Sequence, residues 1–175
     1  MRLTNFNSRF IFIASAVLLV AVSRLVPHIS NFASVGAMAL FGGAYFSNRK
    51  MAYAIPLVAL FISDAIIGFY GWGMLPVYGS FVLIIALGTL LGKKITPINV
   101  LIGSLLSSVL FFLITNFAFF YSTAMYPHNF AGIMLSYEKG LLFFRSTLES
   151  DLLFNGLLFG SFYLAQLKFP KLSKL

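Results

Sequence analysis

Six long apolar runs, almost free of charged side chains, constrain this chain of 175 residues more than any other feature. Only 9% of its residues are charged and 60% are hydrophobic, whereas about 25% of the residues in a soluble domain are charged. A soluble protein of this size cannot cover its surface with so few polar groups. The pattern therefore excludes a soluble enzyme, a disordered chain and a coiled coil, and it predicts an integral membrane protein.

We predict a single all-α domain over residues 1–175, an integral membrane bundle of six transmembrane helices. A spanning helix needs about 20 mostly apolar residues and tolerates about 17, and the runs do not alternate as the strands of a membrane barrel do. The predicted segments are 10–26, 32–46, 52–70, 76–91, 98–122 and 148–167. The first segment has a second interpretation as a signal peptide, with a cleavage site after Ala21, Val22 and Ser23.

The basic residues predict the orientation of the bundle. With the N-terminus inside, all but three of the 12 Lys and Arg residues lie on the inner side, the exceptions being Arg24, Lys139 and Arg145. Positive charge is retained on the cytoplasmic side of membranes, so both termini are expected in the cytoplasm of a bacterial plasma (inner) membrane. The net charge of +8 is explained by topology. We expect the chain to be surrounded by the lipid bilayer and not to bind nucleic acid.

The predicted outer loops are more elaborate than the inner ones. The longest, about 123–147, joins helices 5 and 6 and contains an apolar stretch, ending at Phe144, that is too short to span. We expect this stretch to form a lid over the outer end of the bundle, with Gly132 and Gly140 as hinges. The alternative is a fixed interfacial helix.

Three polar residues in different segments, Asp64, Asn116 and Asn155, are expected at similar depth below the outer surface. Asp64 lies about six residues, or roughly 9 Å, from the outer end of its segment, and we expect it to be the only acidic residue inside a span. A carboxylate at depth costs about 2.5–3.5 kcal/mol on insertion scales. The set predicts an outward-open ligand cavity, and the alternative is a set of interhelical hydrogen bonds without a ligand.

The outer loops and helix ends supply the remaining predicted substrate-binding residues. They are His28, Asn31, Tyr70, Trp72, Tyr78, Tyr126 and His128. For the aromatic members the alternative is the aromatic belt of a membrane protein, and for the histidines it is a simple interfacial position. Two histidines and no cysteine do not make a three- or four-ligand metal site, so we expect no metal and no cofactor.

Catalytic constellations are absent from the sequence. It contains no Gly-x-Ser-x-Gly, no His-Glu-x-x-His and no phosphate-cradling Gly-rich loop with Lys. We therefore expect a binding or transport protein and no enzyme. Two rivals stay open, namely a membrane enzyme that uses Asp64 with a loop histidine, and a structural or assembly protein without a ligand.

Ordered motifs along nearly the whole chain carry a resemblance to a known family. They are RLVPH at 24–28, NF at 31–32, GAMALFGGAYF at 36–46, SD at 63–64, GFYG at 68–71, VYGSF at 77–81, TNF at 115–117 and YP at 126–127. They resemble the DUF6580-type membrane transport proteins, which are grouped with the substrate-binding S components of energy-coupling factor transporters and are similar to solitary vitamin B12 transporters.

This resemblance implies a six-helix bundle that captures a small, vitamin-like solute at its outer face for uptake. It implies either a protein that works alone or one that docks on a shared energising module. It does not choose the substrate.

Overall fold

The fold is described from a computed structural model, which covers residues 8–26, 32 and 35–173. This part of the chain is all-α, which confirms the predicted class. Its six α-helices are α1 (Ser8–Ser23), α2 (Val35–Tyr45), α3 (Arg49–Ile67), α4 (Met74–Leu91), α5 (Pro97–Ser122) and α6 (Phe130–Lys168), with short 3-10 turns at Gly71–Gly73 and Pro170–Leu172.

Polar caps determine where three of the helices begin. The side-chain oxygens of Asn48, Thr96 and Asn129 each accept a hydrogen bond from a backbone N–H in the first turn of α3, α5 and α6 respectively. Such a cap satisfies one of the N–H groups that have no partner inside the helix. The connections before these helices can therefore stay short and still end in a fixed direction.

The short helix α2 is the centre of the bundle. Every residue in it except Ala44 is buried, and it packs against all five other helices. Its 11 residues reach only about 16 Å, about half the thickness of a bilayer's hydrocarbon core. Both of its ends consequently lie inside the protein.

Glycines allow α2 and α4 to approach closely. A Cβ at Gly43 would collide with the carbonyl oxygen of Ile85, and a Cβ at Gly88 would collide with that of Leu40. Small residues at such contacts let two backbones touch in a membrane bundle. These two glycines therefore fix the position of α4 beside the central helix.

Arg9 holds the C-terminal end of α2. Its guanidinium donates to the carbonyl oxygens of Tyr45 (3.4 Å) and Leu172 (3.3 Å) and lies 5.8 Å from the centre of the Phe162 ring. A cation is favourable at a helix C-terminus, where carbonyl groups have no partner. One buried side chain thus joins α1, the C-terminal turn and the central helix.

Three helical segments are long and apolar enough to cross a membrane. They are Arg49–Ile67, Gly71–Leu91 and Pro97–Ser122, with mean hydropathy of 1.7, 2.1 and 2.2. At most 33% of each is buried, so most of their apolar side chains face outward. The apolar helices α1 and α2 are shorter. These findings support a membrane location, while the number of spans and the orientation remain predictions.

The prediction of a long loop between helices 5 and 6 is wrong. Only residues 123–129 connect them, and α6 then continues for 39 residues without interruption. Gly132 and Gly140 are buried inside α6, where they face Pro127 and Asn116 so closely that a Cβ would collide. Their smallness serves helix packing rather than hinge motion. The first half of α6 packs along α5 and does not fold across the bundle as a lid.

Candidate functional site

A cavity of about 280 Å³ lies at the N-terminal end of α2. We call it the Asp151 cavity. It is surrounded by α2, α4, α5 and α6, together with residues from the ends of α1 and α3. Its lining residues are Arg24, Val35, Gly36, Tyr70, Val77, Phe81, Phe111, Thr147 and Asp151.

A buried ion pair stands beside this cavity. The Nη2 atom of Arg24 lies 2.8 Å from Oδ1 of Asp64, and the Tyr78 hydroxyl donates to Oδ2 at 2.8 Å. Arg24 also donates to the Ser63 hydroxyl. The exposed side-chain fraction is 14% for Arg24 and 1% for Asp64, so both charges are largely desolvated. We call these four residues the Asp64 cluster, and within it each carboxylate oxygen has a partner.

Asp151 is a second buried carboxylate, with an exposed fraction of 1%. The Ser108 hydroxyl donates to its Oδ2 at 2.7 Å, but Oδ1 has no hydrogen-bond partner among the described residues. The first turn of α2 lies against the carboxylate at Gly36, and the backbone N–H of Ala37 interacts with it, as expected for an anion at the positive end of a helix. Asp64 is therefore not the only acidic side chain buried among the described helices.

Aromatic rings form much of the remaining wall. Phe81 and Phe111 pack against each other with their ring centres 5.8 Å apart, and Tyr70 closes the side beyond the end of α3. Burial, followed by the nearby Asp64 carboxylate, raises the pKa of Tyr70 to about 12. Its hydroxyl is neutral at physiological pH, as a tyrosine hydroxyl ordinarily is, and can donate a hydrogen bond.

The three residues predicted to share one layer do not line one space. Asp64 lies in the cluster beside the Asp151 cavity. Asn116 donates to the Phe112 carbonyl oxygen of its own helix at 2.8 Å and packs against Gly140. Asn155 lines a different cavity. A similar distance from the helix ends does not set the direction in which a side chain points around the helix.

The predicted loop residues also separate. Tyr70 and Tyr78 lie at the Asp151 cavity and in the Asp64 cluster, whereas Trp72 is 85% exposed. Tyr126 and His128 lie at the turn between α5 and α6, where the His128 ring stacks on that of Tyr121 at 6.2 Å. Two further predicted residues, His28 and Asn31, fall outside the described residues.

The second cavity, of about 550 Å³, lies near the C-terminal end of α2, between α5 and α6. We call it the Asn155 cavity. Asn155 is 1% exposed, and neither its Oδ1 nor its Nδ2 has a hydrogen-bond partner within the described part of the chain. The other lining residues are Tyr45, Ile95, Thr96, Pro97, Val100, Leu101, Ser104, Leu152, Gly156, Phe159, Gly160 and Tyr163.

A row of buried polar side chains follows the contact between α5 and α6 and passes both cavities. We call it the α5–α6 seam. Its members are Ser104, Ser107, Ser108, Ser150, Asp151 and Asn155. On α5, Ser104 and Ser107 donate to carbonyl oxygens of their own helix and Ser108 donates to Asp151. On α6, Ser150, Asp151 and Asn155 each keep atoms without a partner among the described residues.

Sequence reasoning missed Arg24 and Asp151 as site residues. Arg24 was counted only as an outer-face charge, and Asp151 lay close to the predicted start of its segment. One signal pointed to the seam, because Ser104 and Ser108 are four residues apart, as are Asp151 and Asn155. That spacing places each pair on one helix face.

Metal binding has no support in the described part of the chain, where no group of three or more His, Cys, Asp or Glu side chains is placed to hold an ion. A wider groove of about 780 Å³ between α1 and α6 has a mostly apolar lining. We find no unpartnered polar atom among its described lining residues. The two cavities along the seam are therefore the candidate sites.

Comparison with known proteins gives one match. Residues 4–172 match a family model described as a family of unknown function, DUF6580. No curated protein and no solved structure matches the chain.

Proposed function

Because this chain belongs to the DUF6580 family, whose function is unknown, we propose from its geometry that it is a multi-pass membrane protein that binds a small solute in the Asp151 cavity for uptake. The likeness to S components of energy-coupling factor transporters is part of this proposal. The proposal covers both a protein that works alone and one that docks on an energising module.

The observation that carries the proposal is the concentration of buried charge around one cavity. Arg24, Asp64 and Asp151 lie in or beside it, although burying a charge in a bilayer costs several kcal/mol. Ion-pairing Arg24 with Asp64 lowers that cost, but Oδ1 of Asp151 has no partner in the described residues. A buried acceptor left without a partner is costly unless a bound group fills it.

The cavity's size and chemistry limit the solute. A volume of about 280 Å³ is just below the range of about 300–1,000 Å³ that is typical of small-molecule sites. The unfilled carboxylate oxygen accepts a hydrogen bond, and the rings of Tyr70, Phe81 and Phe111 offer flat apolar surfaces. A small ring compound with an N–H or O–H donor matches this set better than a bulky cofactor such as vitamin B12.

The six-span topology, with both termini inside, is proposed from the charge distribution and the outward-facing apolar surface. The native chain has no cysteine, so single cysteines report position without background. Cysteines at Ser47 and Ser173 should resist an impermeant thiol reagent in intact cells, and one at Ser122 should react. All three residues are exposed. Labelling in the reverse pattern would overturn the orientation.

The contacts of the described residues favour binding over the two rivals. Both oxygens of Asp64 are occupied by Arg24 and Tyr78, while His128 lies at the α5–α6 turn among aromatic rings. Asp64 and His128 therefore do not form an acid–base pair, while the other loop histidine, His28, lies outside the described residues. Against a purely structural role, the Asp151 cavity is open space rather than a volume filled by side chains.

Native mass spectrometry of gently purified protein tests solute binding directly. We expect a co-purified small molecule on the wild-type chain and its loss in Asp151→Asn. The matched control is Glu149→Gln on the same helix, whose carboxylate is 54% exposed and pairs only with the exposed Arg145. This variant should keep the molecule. An unloaded wild type after reconstitution with cell extract, or equal loading of both variants, would contradict the proposal.

A further inference from the structure

The Asn155 cavity presents an unfilled amide in a mostly apolar space. Asn155 is fully buried, yet its one acceptor and one donor group both lack partners among the described residues. A buried amide without partners is unfavourable in proteins. Both amide atoms are inaccessible in the empty protein, so a molecule bound in the cavity of about 550 Å³ supplies the missing hydrogen bonds once the Asn155 side chain turns toward it.

The walls around Asn155 suit a flat molecule. Phe159 and Tyr163 line one side on α6, and the buried ring of Tyr45 comes from the end of α2. Gly156 and Gly160 have no side chain to fill the space beside these rings, and a Cβ on either would meet nothing within 4 Å. The open space at both glycines lies next to the unfilled amide.

The charged groups of the protein lie elsewhere. No Asp, Glu, Lys or Arg lines this cavity, so a net charge on the occupant would have no described counter-charge. The side-chain amide of Asn presents an acceptor and a donor side by side. Its complement is a group with the same two functions in reverse order, as in a primary amide or the cyclic amide of a lactam ring.

We propose that the Asn155 cavity is a second solute site, and that it takes an uncharged planar molecule whose amide or lactam edge pairs with Asn155. In one respect the inference rests on the proposed function, since we take this cavity to be the next position of the solute bound at Asp151. Asp151 and Asn155 are one helical turn apart on α6, about 6 Å along the axis. The Ser108–Asp151 hydrogen bond lies in the seam that connects the two cavities.

Protection of a single cysteine tests the site with a defined probe. Gly156→Cys places a thiol in open space at the cavity wall, and benzamide serves as an uncharged planar amide. We expect saturating benzamide to slow alkylation of Gly156→Cys by N-ethylmaleimide at least threefold. Methyl benzoate, which lacks the donor, and benzoate, which is charged, should protect much less.

The matched control is Gly79→Cys. Gly79 also has nothing within 4 Å of a built Cβ, but it lies on α4 and lines neither cavity. Its alkylation rate should be the same with and without benzamide. Equal slowing at both cysteines, no slowing at Gly156→Cys, or equal protection by all three compounds would overturn the inference.

A second substitution separates binding from folding. In the Gly156→Cys background, Asn155→Leu should abolish protection by benzamide without lowering the melting temperature, because the amide it removes has no partner among the described residues. Protection retained in Asn155→Leu would overturn the assigned contact. So would a large loss of stability, because it would make Asn155 a structural residue.

The two proposals fail separately. Loss of the co-purified molecule in Asp151→Asn is measured without benzamide, and benzamide protection is measured without the natural solute. Protection by benzamide with no solute in the wild-type chain would leave the Asn155 site standing and overturn the proposed uptake function. The reverse result would remove only the second site.

Discussion

The Asp64 cluster and the α5–α6 seam differ in how many of their buried polar atoms have hydrogen-bond partners within the protein. In the Asp64 cluster, Arg24 and Tyr78 occupy both carboxylate oxygens. In the α5–α6 seam, Ser150, Asp151 and Asn155 on α6 retain atoms without partners in the described part of the chain. The carboxylates of Asp64 and Asp151 are equally buried, each 1% exposed, so burial alone does not separate structure from function.

The difference indicates what each group does. A satisfied buried ion pair holds helices in register and is lost only with a large penalty, since removing one partner leaves the other charge uncompensated. An unsatisfied buried group does little to stabilise the empty protein and becomes favourable when a ligand completes it. We therefore propose that the Asp64 cluster belongs to the framework of the fold and that the seam contributes to solute binding.

The largest effect expected from this contrast is that of Asp64→Asn. It leaves the Arg24 cation buried without a counter-charge and should lower the free energy of unfolding by about 3–5 kcal/mol. Unfolding of the purified protein in mixed detergent micelles measures the loss. Glu149→Gln, which breaks an exposed pair, should cost less than about 1 kcal/mol. Similar losses in both variants would erase the distinction.

A smaller effect is expected at Gly36, where the central helix meets the seam. An added methyl group would collide with the Asp151 carboxylate, so Gly36→Ala should destabilise the protein by about 2 kcal/mol and displace the bound solute. Gly79→Ala adds the same methyl to a helix in open space and should be neutral or slightly stabilising. Melting temperature and native mass spectrometry give the two readouts. A Gly36→Ala protein with normal stability and loading would contradict the close contact.

Tyr78→Phe tests the cluster with a single atom. The change removes the hydroxyl that donates to Asp64 at 2.8 Å, and hydrogen bonds to charged groups contribute about 1.5 kcal/mol or more. We expect a loss of about that size in micelle unfolding and unchanged solute loading. Loss of the solute at full stability would instead place Tyr78 in the binding site.

The smallest effect should come from the seam itself. Ser150→Ala removes a buried hydroxyl that has no partner among the described residues, and we expect a change within about 0.5 kcal/mol. Ser63→Ala is the counterpart in the Asp64 cluster, where the hydroxyl donates to the Leu60 carbonyl oxygen and accepts from Arg24. It should cost about 1 kcal/mol or more. Equal losses of stability in Ser150→Ala and Ser63→Ala would show that the Ser150 hydroxyl does have a hydrogen-bond partner.

The helices were largely predictable from the sequence because apolar runs ended at strong signals. The predicted segment 98–122 corresponds to α5 (Pro97–Ser122), which begins at a Thr–Pro pair. The run 148–167 was too short because Gly132, Gly140 and several charges in the preceding stretch resembled a loop. Gly132 is explained by its contact with Pro127 in the turn before α6, and Gly140 by its contact with Asn116 on α5. Sequence alone does not reveal either contact.

The site was less predictable, for a related reason. The importance of Asp64 and Tyr78 followed from their types and positions, but their partner Arg24 lies 40 residues away in sequence and had been treated only as a topological charge. The position of Asp151 depends on where α6 begins. Because α6 begins at Phe130, this carboxylate lies deep within a helix and not near its start. Direction around a helix axis depends on packing, and depth counting did not supply it.

The length of α6 has a practical consequence. Its 39 residues extend about 58 Å, whereas a bilayer with its headgroups is about 40–45 Å thick. An upright α6 would therefore extend beyond the lipid at one end, whereas α5, with 26 residues or about 39 Å, fits within it. A small membrane protein usually offers antibody fragments and imaging methods almost nothing to hold. An end of α6 outside the lipid would give an antibody fragment a rigid epitope. Because Asp151 and Asn155 lie on the same helix, a fragment bound there would be fixed relative to both cavities.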